Sequence, residues 1–206
     1  MKKPELPKPS TVRKPVSDKH ALETIERFIY MVFDAAAEGL KSGAEVQPNI
    51  LALFAEKELP DGGIERPAVS YPFVFNDEAE KQAILRRIGF SIASFDREMI
   101  CAICVSEAWA SEAKEGKPEM PPSQDPDRFE MLVISAMLND GRRKLITFKI
   151  TRDVNGLATI NPCEVENDSI GVWIEPAGST SEDHILEGIW RDYRFAQMIR
   201  PIGNGA

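Results

Sequence analysis

The sequence predicts an α+β domain: an antiparallel β-meander sheet with two long helices on one face and a C-terminal helix. Three observations lead there. Apolar residues recur at helical spacing over residues 18–40 and 77–95. A later stretch, 99–110, is apolar on both of its alternating faces, as a central strand requires. Beyond it, alternating stretches meet at Asn139-Asp140-Gly141 and again at Asn155-Gly156, both hairpin signals.

Taken in order, residues 1–16 read as a disordered, basic, proline-rich tail and 17–200 as a single α+β domain. Pro4-Glu-Leu-Pro7 fits a PxxP pattern and is read as linker. Ser17 or Asp18 caps the first helix, which offers Leu22, Ile25, Ile29, Val32, Phe33, Ala36 and Leu40 to a sheet; Gly39 or Gly43 ends it. Ile50 to Ala55 reads as a short buried strand and Asp61-Gly62-Gly63 as a turn. Val69 to Phe75 is an extended piece that Pro67 and Pro72 restrict to an edge.

Asp77-x-x-Glu80 forms a capping box for the second helix, which sends Ile84, Leu85, Ile88, Ile92 and Phe95 inward. Gly89 and Ala93, four apart, permit close approach to the sheet. In the strand 99–110 the even positions Ala102, Cys104, Ser106 and Ala108 are small and suit the underside of a helix. Phe129–Leu138 and Arg142–Val154 form a hairpin, with type I′ geometry expected at the Asn-Gly signals. Its second strand alternates Ile146, Phe148 and Ile150 with Thr147, Lys149 and Thr151, one face buried and one wet. Ile170–Glu175 reads as a further strand. Thr180 or Ser181 caps a last helix bearing Ile185, Leu186, Ile189, Trp190 and Tyr193.

Charge narrows the function. The net charge is −8, but residues 1–19 carry six bases against two acids, so the remaining 187 residues hold −12. An acidic body of that kind does not attract a nucleic-acid backbone nonspecifically. No apolar run reaches the ~20 residues that span a bilayer, and the basic start lacks the apolar core of a secretory signal. Three cysteines without framework spacing fit reduced thiols in a cytoplasm.

Several chemistries find no support. The chain has no GxxxxGK[ST], GxGxxG or HExxH pattern. Cys101-x-x-Cys104 lies inside a strand, where a spacing of three puts the thiols on opposite faces, so they read as buried and structural. His20 and His184, the two histidines, lack a glycine-framed nucleophile beside them. What remains is a carboxylate set, Glu107, Asp127, Glu130 and Asp153, with Arg128, Lys149 and Arg152. Pro126-Asp127 with Thr147-Phe148-Lys149 resembles part of the PD-(D/E)xK nuclease pattern. Thr147 stands where that pattern wants a second metal-binding acid. Glu107 shares a strand face with Val105 and Trp109, so it needs a cationic partner, and Arg128 or Arg152 can supply one in a structural polar corner.

The run Val105-Ser106-Glu107-Ala108-Trp109, a proline-bearing insert, and Pro126-Asp127-Arg128-Phe129-Glu130 before a β-hairpin resembles a group of uncharacterised bacterial and phage-type proteins. The resemblance covers about residues 20–155 and implies a fold, with no activity attached. The resulting expectation is a cytoplasmic, non-catalytic binding or assembly module without a cofactor. It would use a sheet edge and exposed aromatics such as Trp173 or Trp190, with an unknown protein partner or a second copy. The alternative is a divalent-metal-dependent hydrolase or nuclease using Glu107, Asp127, Glu130 and Lys149.

Overall fold

A computed structural model describes residues 19–111, 124–162 and 184–199. The tail, the Ser17/Asp18 cap, the 170–175 strand with Trp173, and the Thr180/Ser181 cap lie outside these residues. Within them run helices α1 (Lys19–Lys41), α2 (Glu78–Ala93) and α3 (His184–Ile199). The strands are β1 (Asn49–Phe54), β2 (Lys57–Glu58), β3 (Ile64–Glu65), β4 (Ala68–Pro72), β5 (Met99–Ala110), β6 (Phe129–Leu138), β7 (Arg143–Arg152) and β8 (Ala158–Pro162). Six strands form one sheet in the order β4-β1-β5-β6-β7-β8, each neighbouring pair antiparallel. The short β2 and β3 make a separate ribbon around the Asp61-Gly62-Gly63 turn. The fold is α+β. Among the described residues, no helix is long and apolar enough to cross a membrane.

The central strand sets the layering. Cys101, Ile103 and Val105 of β5 join Leu53, Leu132 and Leu138 in a core that includes Ile25, Ile29 and Leu40 of α1. Ala102 and Cys104 point the other way, into a core with Ile50, Met137, and residues of α2 and α3. Helices therefore cover both faces, α1 on one and α2 with α3 on the other. The expectation of two long helices on one face is corrected, because a strand that is apolar on both sides needs a cover on each. A bulge where β5 begins pairs Leu53 with Cys101 but Phe54 with Met99. That shift turns Met99 to the α2/α3 side, so the alternation holds only from Cys101 onward.

Two glycines let α2 and α3 cross closely. A Cβ on Gly89 would lie 2.9 Å from both Asp192 Cβ and Tyr193 N, and one on Gly188 would lie 3.3 Å from Leu85 Cδ1. The close approach expected between Gly89 and the sheet is instead made with α3. Trp190, expected at the surface, is 2% exposed, and its Nε1 donates to the Met137 carbonyl at 3.3 Å. The Tyr193 hydroxyl accepts from Met99 N at 3.1 Å, so α3 is tied to both β6 and β5. Phe95, expected inward, lies beyond the last turn of α2, partly exposed beside the Phe54 ring.

Caps and turns follow local chemistry. Asp77 accepts from Glu80 N at 2.8 Å, and the Glu80 carboxylate takes the Asn76 N–H, so the box closes one residue early. At the end of α1, Gly43 N donates to Leu40 O and Ala44 N to Gly39 O, with Gly43 at φ 83°: a Schellman motif that makes Gly43 the terminator. The hairpins are not type I′, because no described non-glycine residue has positive φ. Each uses a three-residue loop with a single left-handed glycine, Gly141 or Gly156. Asp140 and Asp153 hold these loops by accepting backbone N–H groups two residues on. Both edge strands contain a proline, Pro72 in β4 and Pro162 in β8, which limits further strand addition.

Candidate functional site

Register brings three of the singled-out residues together. Glu107 pairs with Leu132, Trp109 with Glu130, and Glu130 with Ile150, so Glu107, Glu130 and Arg152 share the α1 face at one end of the sheet. Arg152 Nε donates to Glu130 Oε2 at 2.7 Å, and Nη2 donates to Glu107 Oε2 at 3.0 Å. The other Glu107 oxygen accepts from the Val46 backbone N–H. Hydrogen bonding to Glu130, together with the two nearby carboxylate charges, holds the guanidinium pKa above its ordinary value against the opposing effect of burial. All three side chains are about three-quarters or more buried. Glu107 thus fastens the α1–β1 connection to the sheet, and Arg152 supplies the charge that lets it do so.

The other singled-out residues lie elsewhere. The Arg128 guanidinium sits 4.4 Å from the centre of the Trp109 ring, on the same strand face, and Arg152 takes the place beside Glu107. Lys149 projects to the opposite sheet face, 4.5 Å from the centre of the Phe129 ring. The exposed Asp127 donates its backbone N–H to Asp125, and Asp153 serves its own loop. Asp127 and Lys149 therefore do not join Glu107 and Glu130 in one group, and a guanidinium rather than an open space bridges the two glutamates. Among the described residues, no three His, Cys, Asp or Glu side chains cluster closely enough to hold a metal ion. His20 falls in the first turn of α1 and His184 opens α3. Cys101 and Cys104 are buried in opposite cores; burial raises both thiol pKa values, Cys104 to about 12.

Beside the corner is a cleft of about 290 Å³ between the C-terminal half of α1 and strands β4, β1 and β5. Val32, Ala36 and Gly39 line it from the helix, Leu51, Ile103 and Val105 from the sheet. Its polar groups are Glu45 and Gln47 on the connecting loop, with Asn49 and Ser70 on the strands; Ser70 Oγ donates to Asn49 Oδ1 at 2.9 Å. Val46, held by Glu107, is part of the wall.

Sequence reasoning missed this cleft, although Gly39 carried a signal for it. A glycine inside a helix costs about 1 kcal/mol relative to alanine. Gly43 already provides the turn, and a Cβ on Gly39 would meet nothing within 4 Å. Neither the turn nor crowding explains that glycine. Compared with known proteins, the chain matches no family, no curated sequence and no solved structure.

Proposed function

We propose that the protein is a non-catalytic binding module whose ligand seat is the cleft beneath the C-terminal half of α1. The observation that carries the reading is the lining: apolar walls from helix and sheet, with a few polar groups, Glu45, Gln47, Asn49 and Ser70, the last two hydrogen-bonded to each other. Among the described residues no lysine or arginine lines it, so the preferred occupant is a small aliphatic molecule with a neutral or cationic polar end. The Glu107–Arg152–Glu130 corner acts as a support, because it fixes the loop that forms one wall. A cytoplasmic setting fits the two buried free thiols, which face opposite sides of the sheet.

Amide NMR titration with n-butylamine, n-butanol and butyrate tests the reading. The amine and the alcohol should shift the amides of Ala36, Gly39, Val46, Leu51 and Val105, and butyrate should do so least. Gly39→Leu, which places a side chain in the cleft, should abolish those shifts while the protein stays folded. Shifts scattered over the surface, or unchanged binding in Gly39→Leu, would sink the proposal.

A further inference from the structure

The cleft beneath α1 has an open side. Along β4, Ala68, Ser70 and Pro72 are exposed, while Val69 and Tyr71 pack against the core on the α2/α3 side. Ser70 lines the cleft, so strand alternation puts Ala68 and Pro72 on the same face and extends the cleft as an uncovered shelf of small side chains. Among the described residues Glu45 is the one charged group in the lining, and it makes no ion pair. The bases nearby do not answer it. At ~3.6 residues per turn Lys41 falls on the opposite side of α1 from Val32 and Ala36, and Arg152 is matched by Glu107 and Glu130.

The chain carries its own complement to that carboxylate. Residues 1–18 hold five bases, Lys2, Lys3, Lys8, Arg13 and Lys14, against the acids Glu5 and Asp18, a net of +3. A lysine side chain is a four-carbon stem ending in an ammonium, the chemistry the lining favours. Reach selects among the lysines. At ~1.5 Å per residue along α1, the wall from Val32 to Gly39 lies about 20–30 Å from Lys19. Lys14 is five residues before Lys19 and covers about 18 Å at most. Lys8 is eleven residues before it, and proline-rich chain at ~3.1 Å per residue then spans about 34 Å, enough to turn back along α1. Lys8 alone combines that reach with a proline on each side, Pro7 and Pro9, which lowers the entropy lost on docking. We propose that Lys8 occupies the cleft of its own chain, its stem between α1 and the sheet and its ammonium on Glu45. The N-terminal tail is then a built-in competitor, present at about millimolar effective concentration, that an external ligand must displace. This inference rests on the cleft being a ligand seat.

Amide NMR of the whole 206-residue chain tests the contact. Lys8→Ala should move the amides of Gly39, Val46, Leu51 and Ser70, at every protein concentration, whereas Lys14→Ala should leave them in place. n-Butylamine should bind Lys8→Ala more tightly than the parent, by about twofold or more, because the tethered competitor is gone. In a Glu45→Gln background Lys8→Ala should change neither the amides nor the affinity. If n-butylamine binds parent and Lys8→Ala equally and the cleft amides coincide, the tail does not enter the cleft; this inference falls and the ligand seat stands. If n-butylamine reaches the cleft in neither protein, the ligand seat itself is wrong and the inference goes with it. Equal responses to Lys8→Ala and Lys14→Ala, or an effect of Lys8→Ala that survives Glu45→Gln, would overturn the assignment of Lys8 to Glu45. Amide differences that fade on dilution would put the tail of a second copy in the cleft and overturn the intramolecular contact.

Discussion

Gly89→Ala should destabilise the protein even though it improves the helix. Alanine in place of a helical glycine contributes about 1 kcal/mol through backbone entropy. At Gly89 the added Cβ would sit 2.9 Å from Asp192 Cβ and from the Tyr193 backbone nitrogen, and 3.2 Å from Asp192 C. Carbon atoms rest comfortably at about 3.5–4.0 Å, so α3 must retreat by about 0.5–1 Å. Its retreat is opposed by Trp190 Nε1 on Met137 O and by the Tyr193 hydroxyl on Met99 N. Overpacking of this kind costs about 1–3 kcal/mol, and here it falls near the upper end because the obstacle is backbone. The net loss should be about 1–2 kcal/mol, or about 2–8 °C in melting temperature for a chain of this size. Gly39→Ala is the matched control, since its Cβ meets nothing within 4 Å and its stability should rise by up to about 1 kcal/mol. Urea denaturation of the two variants and the parent decides the matter. If Gly89→Ala is as stable as the parent, or the two substitutions act with the same sign, the crossing described for α2 and α3 is wrong.

Further outcomes follow from the corner, the cores and the turns. Arg152→Ala leaves Glu107 and Glu130 facing each other without their shared cation and should cost about 2 kcal/mol, between the values for exposed and fully buried pairs. Adding Glu130→Gln should restore part of the loss in a double-mutant cycle, and a cycle with no coupling would contradict the shared guanidinium. Burial raises both thiol pKa values in the fold, Cys104 to about 12, whereas an unfolded thiol ionises near pH 9. Below that pH both states keep their protons and the thiols add no pH dependence. Above it only the unfolded state releases them, so stability should fall with rising pH by about 1.4 kcal/mol per unit per thiol. Cys101→Ala with Cys104→Ala should flatten that alkaline slope, measured by denaturant titration from pH 8 upward; an unchanged slope would refute the assignment. Gly141 at φ 95° should tolerate asparagine better than alanine, with Gly141→Ala losing about 1 kcal/mol or more in thermal melts.

Period-two and period-3.6 patterning report which residues are buried, but not what they are buried against. Cys101 and Cys104 show the difference. Their spacing inside an apolar strand predicts opposite faces, and they do occupy opposite cores. The same pattern cannot decide which helix covers which face, because Ile25 of α1 and Leu85 of α2 are equally apolar, and the connections leave either side open. Gly89 is a similar case. Its presence in a helix signals a close neighbour, yet the neighbour, Asp192, is 103 positions later in the chain, and only the folded topology brings it near. Turn geometry was misread for a different reason. Asn-Gly fits both a two-residue I′ loop and a three-residue loop with a left-handed glycine; here Asp140 and Asp153 accept backbone donors and hold the longer form.

The polar corner was half legible, and the missing half shows what a one-dimensional pattern leaves out. A carboxylate on an apolar strand face calls for a cation, and that physical requirement identifies Glu107 without any coordinates. Two arginines were eligible. Arg128 is nearer in the chain, immediately before β6, but the strand order places β6 beside β5 and carries Arg128 to the Trp109 ring at the sheet's end. Arg152 is two strands away, and its reach across β6 is what lets it meet both glutamates at once. The Val46 N–H that takes the second Glu107 oxygen has no side-chain signature at all, because any residue offers the same donor. It is that anonymous bond which joins the corner to the cleft: the glutamate's remaining oxygen holds the loop that carries Glu45 and Gln47. Removing Arg152 should therefore weaken n-butylamine binding in the cleft more than its own distance from the cleft would predict. Equal affinity in Arg152→Ala and the parent, with both folded, would separate the corner from the ligand seat.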